Sequence, residues 1–357
     1  MIEKKSFGKL SDGREVFAFV IKNGRNMQVT LSEYGACITS LLVPDRDGIL
    51  ADVVLGFDDV SGYESPMSAH MGAITGRFAG RIRNGRFMLE GKPVILNCND
   101  GKNHLHGGKG GLHRKLWHGS EQGENSVAFT YESADGEENY PGNLSLCVTY
   151  TLDDGGSLCI DYKAKSDKTT VLNLTNHSYF NLKGHEKGAA DTQVLRINAD
   201  RYATVDMEKI PDGAIMPTEC TPMDFRTYAV INSRIGFDFI QLRYGEGYDH
   251  SFVLNKRERN LLSTAAELYD AESGRHMLVH TTMPALQFYS GNSLEMTEGK
   301  GGALYMKRGG VCLETQFIPN AMEHTYFPSP ILRADEEYHH ITRYTFSVRD
   351  IDPKCYS

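Results

Sequence analysis

The sequence predicts an all-β protein, a large antiparallel β-sandwich with a few short helices. Short runs of alternating or continuous apolar residues recur from one end of the chain to the other. Glycines and Asn-Gly or Asp-Gly pairs separate many of these runs, and such pairs supply the positive φ that tight hairpins require. Helical periodicity over ten or more residues is missing. The pattern therefore favours strands joined by turns and large loops.

The predicted strands follow one another along the whole chain. They lie at residues 16–21, 27–31, 38–43, 87–89, 127–131, 144–152, 158–164, 194–199, 250–254, 266–269, 277–282 and 344–348. Turns are predicted at 12–13, 23–24, 84–85 and 153–156, where glycine follows Asn, Asp or glycine. Residues 59–65 and 227–235 are expected to form single turns or short helices. Because no linker, repeat or low-complexity block interrupts the pattern, one domain over residues 1–357 is predicted.

Composition excludes several classes of partner. Lys and Arg number 38 and Asp and Glu 46, which gives a net charge of −8. The basic residues are scattered, so we expect no nucleic-acid partner, because phosphate binding requires a basic stripe. The longest apolar runs fall far short of the roughly 20 residues of a membrane helix. No apolar stretch follows residues 1–5, so a signal peptide and a membrane partner are not expected.

The cysteines also bear on location. There are seven, widely separated and without a Cys-x-x-Cys pair, which argues against a disulfide framework and a zinc knuckle. They are Cys37, Cys98, Cys147, Cys159, Cys220, Cys312 and Cys355. A reducing cytoplasm is the expected location.

Two polar strand faces carry the residues of greatest chemical interest. Residues 171–177 are predicted to form a strand in which Asn173, Thr175 and His177 share one face. Hydrogen-bonding neighbours can hold such a histidine in one tautomer, ready to exchange a proton near neutral pH. In residues 311–317, Glu314 and Gln316 share the face opposite the apolar residues, which places this carboxylate toward a groove. Together His177 and Glu314 suggest an acid/base couple.

The stretch NLTNHSYFNL at residues 173–182 resembles the signature of the aldose 1-epimerase, or galactose mutarotase, family. Six other pieces match the family and stand in the family's order along the chain. Trp117 comes shortly after the second of them. These pieces are GRFAGRI (76–82), LHGG (105–108), YDHSFVL (248–254), PALQFYSGN (284–292), LETQ (313–316) and FPSPIL (327–332). They extend over most of the chain, and the resemblance implies the galactose mutarotase-like form of the β-sandwich.

The resemblance also implies an activity and a site. The enzyme is expected to interconvert the α and β anomers of free aldoses, with Glu314 as base and His177 as acid. The sugar hydroxyls would be bound by Arg81, His106, Asp249 and Gln287. No metal and no cofactor is implied, the partner is a small sugar, and either a monomer or a homodimer is compatible with the sequence. One position departs from the family, because Gly80 stands where many members carry Asn, which puts one sugar contact in doubt.

Other interpretations of the same residues remain open. His104 and His106 are spaced to chelate a metal from one strand face, but no Glu follows them as a cupin-type site would require. His104, His113 and His118 are otherwise expected at the surface or in loops, and Arg77 by default in a surface salt bridge. Asp249 with Glu314 could flank a glycosidic bond in a carbohydrate-cleaving enzyme. A non-catalytic sugar-binding module is the remaining alternative.

Overall fold

The structure, a computed structural model, describes residues 2–352. Met1 and residues 353–357 are outside the described part, and Cys355 is among them. The two ends of the predicted domain therefore lie outside the described residues. The six cysteines within the described residues are free thiols.

Strands dominate the described residues. In the first third they are β1 (Ile2–Lys9), β2 (Glu15–Lys22), β3 (Gln28–Ser32), β4 (Cys37–Pro44), β5 (Leu50–Asp52), β6 (Ile74–Thr75), β7 (Arg81–Ile82), β8 (Arg86–Leu89), β9 (Lys92–Ile95) and β10 (His104–Leu105). Next come β11 (His118–Glu121), β12 (Ser126–Ser133), β13 (Leu144–Leu152), β14 (Ser157–Ser166), β15 (Thr170–Val171), β16 (Thr175–Asn176), β17 (Tyr179–Phe180), β18 (Val194–Ile197), β19 (Arg201–Val205) and β20 (Pro211–Pro217). The last are β21 (Ala229–Val230), β22 (Asp249–Val253), β23 (Ser263–Tyr269), β24 (Arg275–Thr281), β25 (Ala285–Tyr289), β26 (Thr297–Glu298), β27 (Leu304–Tyr305), β28 (Val311–Gln316), β29 (Ile331–Leu332) and β30 (Glu337–Val348).

The helices are short. They are α1 (Val60–Glu64), α2 (Ile240–Gly245) and the 3₁₀ turns Pro66–Ser68, Arg83–Gly85, Leu112–Arg114, Glu137–Asn139, Ile231–Ser233, Lys300–Gly302 and Ala321–Glu323. The side chain of Asp59 caps α1 by accepting a hydrogen bond from the amide of Ser61. The helical element expected at 227–235 is one 3₁₀ turn, and α2 was not predicted. Within residues 2–352 no helix is long and apolar enough to span a membrane.

Three sheets form the body of the fold. The largest has nine strands in the order β11-β12-β13-β14-β30-β24-β23-β18-β21. A six-stranded sheet has the order β17-β28-β25-β22-β19-β20, and a five-stranded sheet runs β1-β2-β3-β4-β5. Every pairing between these strands is antiparallel. The all-β, antiparallel prediction is therefore confirmed.

The nine-stranded and six-stranded sheets pack face to face. The ring of Phe180 on β17 lies 5.1 Å from that of Tyr344 on β30, and the Thr315 and Thr342 hydroxyls bond between the same two sheets. The five-stranded sheet joins this core through Phe19, whose ring meets Phe129 of β12 edge-on at 5.8 Å. Aromatic pairs in such arrangements add to the free energy gained from burial.

The predicted apolar runs form strands in which apolar residues are buried and the residues between them are more exposed. Along β13, Leu144, Leu146 and Val148 are buried, whereas the residues between them are at least partly exposed. The turn predicted at 153–156 joins β13 to β14, and Gly156 supplies its positive φ of 87°. Hairpins of this kind depend only on local sequence, so composition and spacing were sufficient to predict them.

Candidate active site

All six residues predicted for the site line one cavity of about 220 Å³. They are Arg81, His106, His177, Asp249, Gln287 and Glu314. Three of them come from adjacent strands of the six-stranded sheet, and the others from the loops and short strands that pack over its face. The sequence separates these residues by up to some 230 positions, so only the fold brings them together.

Strand register sets the floor of the cavity. Ser251 on β22 lies opposite Gln287 on β25, which in turn lies opposite Glu314 on β28. In the neighbouring row Asp249 lies opposite Tyr289. Because side chains two residues apart share a face, these rows direct polar groups to the same side of the sheet. The predicted common face of Glu314 and Gln316 is confirmed, since both line the cavity.

The strand predicted at 171–177 is wrong as a single element. Residues 171–177 hold the end of β15 and the two residues of β16, which pair with β29 and β6, and β17 follows after His177 and pairs with β28. Asparagine side chains replace the regular ladder: Asn173 Nδ2 donates to the carbonyls of Ala79 and Phe317, at 3.1 and 3.2 Å. Such side-chain bonds compete with a continuous strand.

His177 therefore lies in a break between two short strands. Its amide donates to Ala73, and its carbonyl accepts from Gly72. The whole segment is buried, so the two faces predicted for it do not differ in exposure.

The buried couple of His177 and Glu314 is the centre of the cavity. Nε2 of His177 lies 3.7 Å from Oε1 of Glu314, and the two side chains are 6% and 3% exposed. Burial and the charge of Asp249 hold the pKa of Glu314 well above its ordinary value. Burial and the neighbouring His70 lower the pKa of His177 to about 3. Glu314 Oε2 is also buried and has no hydrogen-bond partner among the described residues.

A second polar group lies beside this couple. Gln287 Nε2 donates to Asp249 Oδ1 at 2.7 Å, and Arg81 Nη1 lies 4.0 Å from Asp249 Oδ2. Arg81 is also fixed by Asp100, to which its Nε donates at 2.7 Å. Burial raises the pKa of Asp249 despite the opposing charge of Arg81. The result is a fixed set of donors and acceptors suited to pairs of hydroxyl groups.

Imidazole rings form one wall of the cavity. His106 lies 5.2 Å from His177 and 4.8 Å from His70 between ring centres, and His113 lies behind His70 at 4.3 Å. Burial, with His70 nearby, lowers the pKa of His106 well below its ordinary value, so the ring is neutral. His106 Nδ1 accepts a hydrogen bond from the amide of Gly80 at 3.1 Å. Nε2 must then carry the hydrogen, which makes His106 a donor.

Two expectations for basic residues outside this group were wrong. His104 is fully buried, and its ring nitrogens contact the carbonyl of Asn97 and the hydroxyl of Tyr140. Both nitrogens are thereby occupied, so His104 is not available to chelate a metal with His106. Arg77 is buried as well, and its guanidinium bonds Ser133 and nearby carbonyls instead of a surface carboxylate.

The departure at Gly80 has a local cause. Gly80 has a φ of 78°, and a Cβ at this position would lie 2.4 Å from Cγ of Pro319. Because Pro319 lines the same cavity, its ring fills part of the space that a larger side chain at position 80 would require. The two residues together define this edge of the cavity.

Sequence reasoning missed several lining residues. His70, Tyr179, Lys209 and Tyr289 line the cavity but were not predicted. Tyr289 could have been found, because it shares the face of Gln287 on β25. His70 and Lys209 lie outside the strands with positive φ values of 61° and 60°, where no alternation indicates direction.

Comparison with known proteins adds independent information. Residues 18–345 match the model of the family described as aldose 1-epimerase. Galactose mutarotase of Rattus norvegicus is 41% identical over 349 residues, covering 97% of this chain and 99% of the rat protein. Aldose 1-epimerase of Escherichia coli (strain K12) is 37% identical, covering 94% and 96%. The crystal structure of galactose 1-epimerase from Lactobacillus acidophilus NCFM, 29% identical, superimposes with a TM-score of 0.84, covering 98% of this chain and 99% of that one.

Proposed function

The chain belongs to the aldose 1-epimerase family, and on this premise we propose that it interconverts the α and β anomers of free aldohexoses such as galactose or glucose. The observation that carries the proposal is the buried pair of His177 and Glu314 in a cavity lined by hydroxyl-binding groups. An enzyme of this kind is an isomerase. The C1–O5 bond breaks and re-forms with proton transfer alone, so the residues themselves can supply the chemistry.

Anomer exchange requires the sugar ring to open and close again. In our proposal Glu314 takes the proton of the C1 hydroxyl, while His177 gives a proton to the ring oxygen and the C1–O5 bond breaks. The C1 unit then rotates, and both proton transfers reverse as the ring closes on the other face. This chemistry requires a base at the C1 hydroxyl and an acid at the ring oxygen. Both oxygens are bonded to C1, so two groups as close together as His177 and Glu314 can serve them.

The shifted pKa values set the protonation of the acid and the base. The raised pKa of Glu314 and the lowered pKa of His177 favour the neutral carboxyl and neutral imidazole in the empty cavity. Moving the carboxyl proton to the imidazole creates the carboxylate and imidazolium that the reaction uses. Activity should therefore depend on the ionisation of both groups.

The remaining four predicted residues are proposed to bind and orient the sugar. Arg81 and the Nε2–H of His106 would donate hydrogen bonds, Asp249 would accept them, and Gln287 could do both. The contacts of Asp249 with Gln287 and Arg81 hold the acceptor in place before the sugar arrives. Such preorganisation allows binding to orient the substrate without reordering the site.

The proposal extends to the location, partners and oligomeric state of the enzyme. We propose a cytoplasmic location, which the six free cysteines of the described residues support. We propose a small sugar as partner, no nucleic-acid or membrane partner, no cofactor, and a monomeric or homodimeric state.

Polarimetry tests the proposed function directly. The approach to equilibrium of freshly dissolved α-D-galactose and α-D-glucose should become faster in proportion to enzyme concentration. A reducing disaccharide serves as the control, because release of new reducing ends would identify a carbohydrate-cleaving enzyme instead. An unchanged rate with every α-anomer in a panel of free hexoses and pentoses would contradict the proposal.

A further inference from the structure

Three metal-binding residue types meet at the base of the cavity. One donor atom each from His177, Cys312 and Glu314 lie within 4.8 Å of one another, and all three residues are buried. Cys312 and Glu314 are two residues apart on β28, so their side chains leave the same face. Cys312 Sγ is 3.6 Å from Nδ1 of His177. Neither catalysis nor sugar binding, as proposed above, uses the thiol.

The spacing is close to that of a tetrahedral metal site. Bonds of about 2.3 Å to sulfur and 2.0–2.2 Å to nitrogen and oxygen place neighbouring ligand atoms about 3.3–3.6 Å apart. Sγ of Cys312 meets this requirement at Nδ1 of His177, at 3.6 Å, whereas Oε1 of Glu314 lies 3.7 Å from the other ring nitrogen, Nε2. Because one ring nitrogen binds the ion, the side chain nearer the other nitrogen must move, and the widest separation in the cluster, within 4.8 Å, would have to shorten by about 1 Å.

An unpartnered atom and the local charge favour a cation here. Glu314 Oε2 is buried without a hydrogen-bond partner among the described residues, although Glu314 lines the cavity. The charge of Asp249 acts on Glu314 as well. The lysine and arginine that line the described cavity have acidic partners: Arg81 bonds Asp100, and Lys209 lies 3.2 Å from Glu246.

We propose that His177, Cys312 and Glu314 form an inhibitory binding site for a thiophilic divalent cation, of which Zn²⁺ is the representative. A thiolate, an imidazole and a carboxylate suit Zn²⁺ and do not suit the oxygen-binding ions Mg²⁺ and Ca²⁺. Cys312 and Glu314 bind as anions, so any protons they carry are released. The cavity supplies the fourth position, for water. The bound metal occupies the acid and the base together, so it acts as an inhibitor and not as a cofactor.

The effect on rate rests on the proposed function, but metal binding does not. The test therefore measures the two separately, in a background in which Cys98, Cys220 and Cys355 are replaced by serine. This removes the two exposed thiols of the described residues and the one outside them. Co²⁺, a spectroscopic substitute for Zn²⁺, should give tetrahedral visible bands and a thiolate charge-transfer band. Both should disappear in Cys312→Ser.

Zn²⁺ titration of the polarimetric rate is the second arm. In the background protein Zn²⁺ should abolish activity, and a chelator should restore it. Cys312→Ser should need about tenfold or more Zn²⁺ for half-inhibition, each variant being compared with its own metal-free rate. Mg²⁺ at equal concentration should have no effect.

Three results would overturn the proposal. They are the absence of a thiolate–Co²⁺ band in the background protein, persistence of that band in Cys312→Ser, and equal Zn²⁺ sensitivity of the two proteins. If Cys312→Ser does not fold, His177→Asn decides, because it keeps the thiol yet should lose the tetrahedral spectrum. A protein without epimerase activity that still shows the Co²⁺ spectrum would refute the proposed function and leave the metal site standing.

Discussion

Two buried histidine–glutamate pairs occur among residues 2–352, and their environments are opposite. One is His177 with Glu314 in the cavity, at 3.7 Å. The other is His276 with Glu267 on neighbouring strands of the nine-stranded sheet, at 2.9 Å. Burial is similar in both, with Glu314 3% and Glu267 6% exposed. The residue types alone therefore do not distinguish a reactive pair from a structural one.

The difference lies in what surrounds each carboxylate. Glu267 accepts hydrogen bonds from His276, Tyr228 and Arg196. These contacts, that of His276 above all, lower the pKa of Glu267 to about 2. Oε2 of Glu314 has no hydrogen-bond partner among the described residues, and burial together with the nearby carboxylate of Asp249 raises the pKa of Glu314. A fully bonded carboxylate contributes to stability, whereas a partly bonded one keeps its capacity to exchange protons.

The largest expected difference is in reaction rate when each histidine is replaced. His177→Asn should lower kcat by about 10²–10⁴-fold, because it removes the proposed proton donor to the ring oxygen. His276→Asn should change kcat by less than about twofold when assayed well below its own unfolding temperature. Polarimetry on α-galactose compares both with the wild type. Comparable losses of kcat in two folded variants would remove the distinction between the pairs.

The next effect concerns stability at the structural pair. Glu267→Gln should lower the free energy of unfolding by about 1.5–3 kcal/mol at pH 7, because it weakens the charge-assisted hydrogen bonds that Glu267 accepts from His276, Tyr228 and Arg196. Urea unfolding followed by circular dichroism measures the difference. A loss below about 1 kcal/mol would mean that Glu267 resembles a surface ion pair.

The difference in the free energy of unfolding between the wild type and Glu267→Gln should depend on pH in one direction. The pKa of Glu267 falls from an ordinary 4.5 to about 2 in the folded protein, so its stabilisation is complete above about pH 4.5. Stability is then lost as the pH falls toward 2. The gap between wild type and Glu267→Gln should therefore narrow over this interval, and a gap that stays constant would contradict the assigned pKa.

The smallest expected effect is a gain in stability at the cavity, opposite in sign to the loss expected for Glu267→Gln. Glu314→Gln should raise the free energy of unfolding at pH 7, by about 0.5–2 kcal/mol, the usual range for stabilising substitutions. A carboxyl whose pKa is raised in the folded state contributes stability below its unfolded pKa and loses it as the pH rises. The gain in the variant should therefore grow with pH and vanish in acid. A destabilised Glu314→Gln at neutral pH would show that Glu314 resembles Glu267.

The sequence predicted the fold class because its signals were local. The alternation of β13 and β14 and the turn between them lie within 23 residues of one another, from 144 to 166. The order of strands in the nine-stranded sheet could not be predicted from local signals. The last strand along the chain, β30, lies between β14 and β24 in this sheet, so the pairing joins segments that are distant in the chain. Only tertiary packing selects that partner.

The candidate site also contains some features that local sequence patterns predict and others that they do not. Alternation along β28 and β25 gave the direction of Glu314 and Gln287, but their position opposite each other depends on strand register. Arg81, His106 and Asp249 were indicated by family resemblance and not by any periodicity. His70 and the true backbone path at His177 were missed, because loop carbonyls and asparagine side chains, not strand partners, fix them.

The central claim is that Glu314 serves as the base and Glu267 does not, although both are buried beside histidine. The most direct test is the polarimetric rate of Glu314→Gln on freshly dissolved α-galactose, beside Glu267→Gln as the matched control, with both variants shown to be folded. We predict a loss of about 10²–10⁴-fold for Glu314→Gln and a rate within about twofold of wild type for Glu267→Gln. Wild-type turnover by Glu314→Gln would contradict the account.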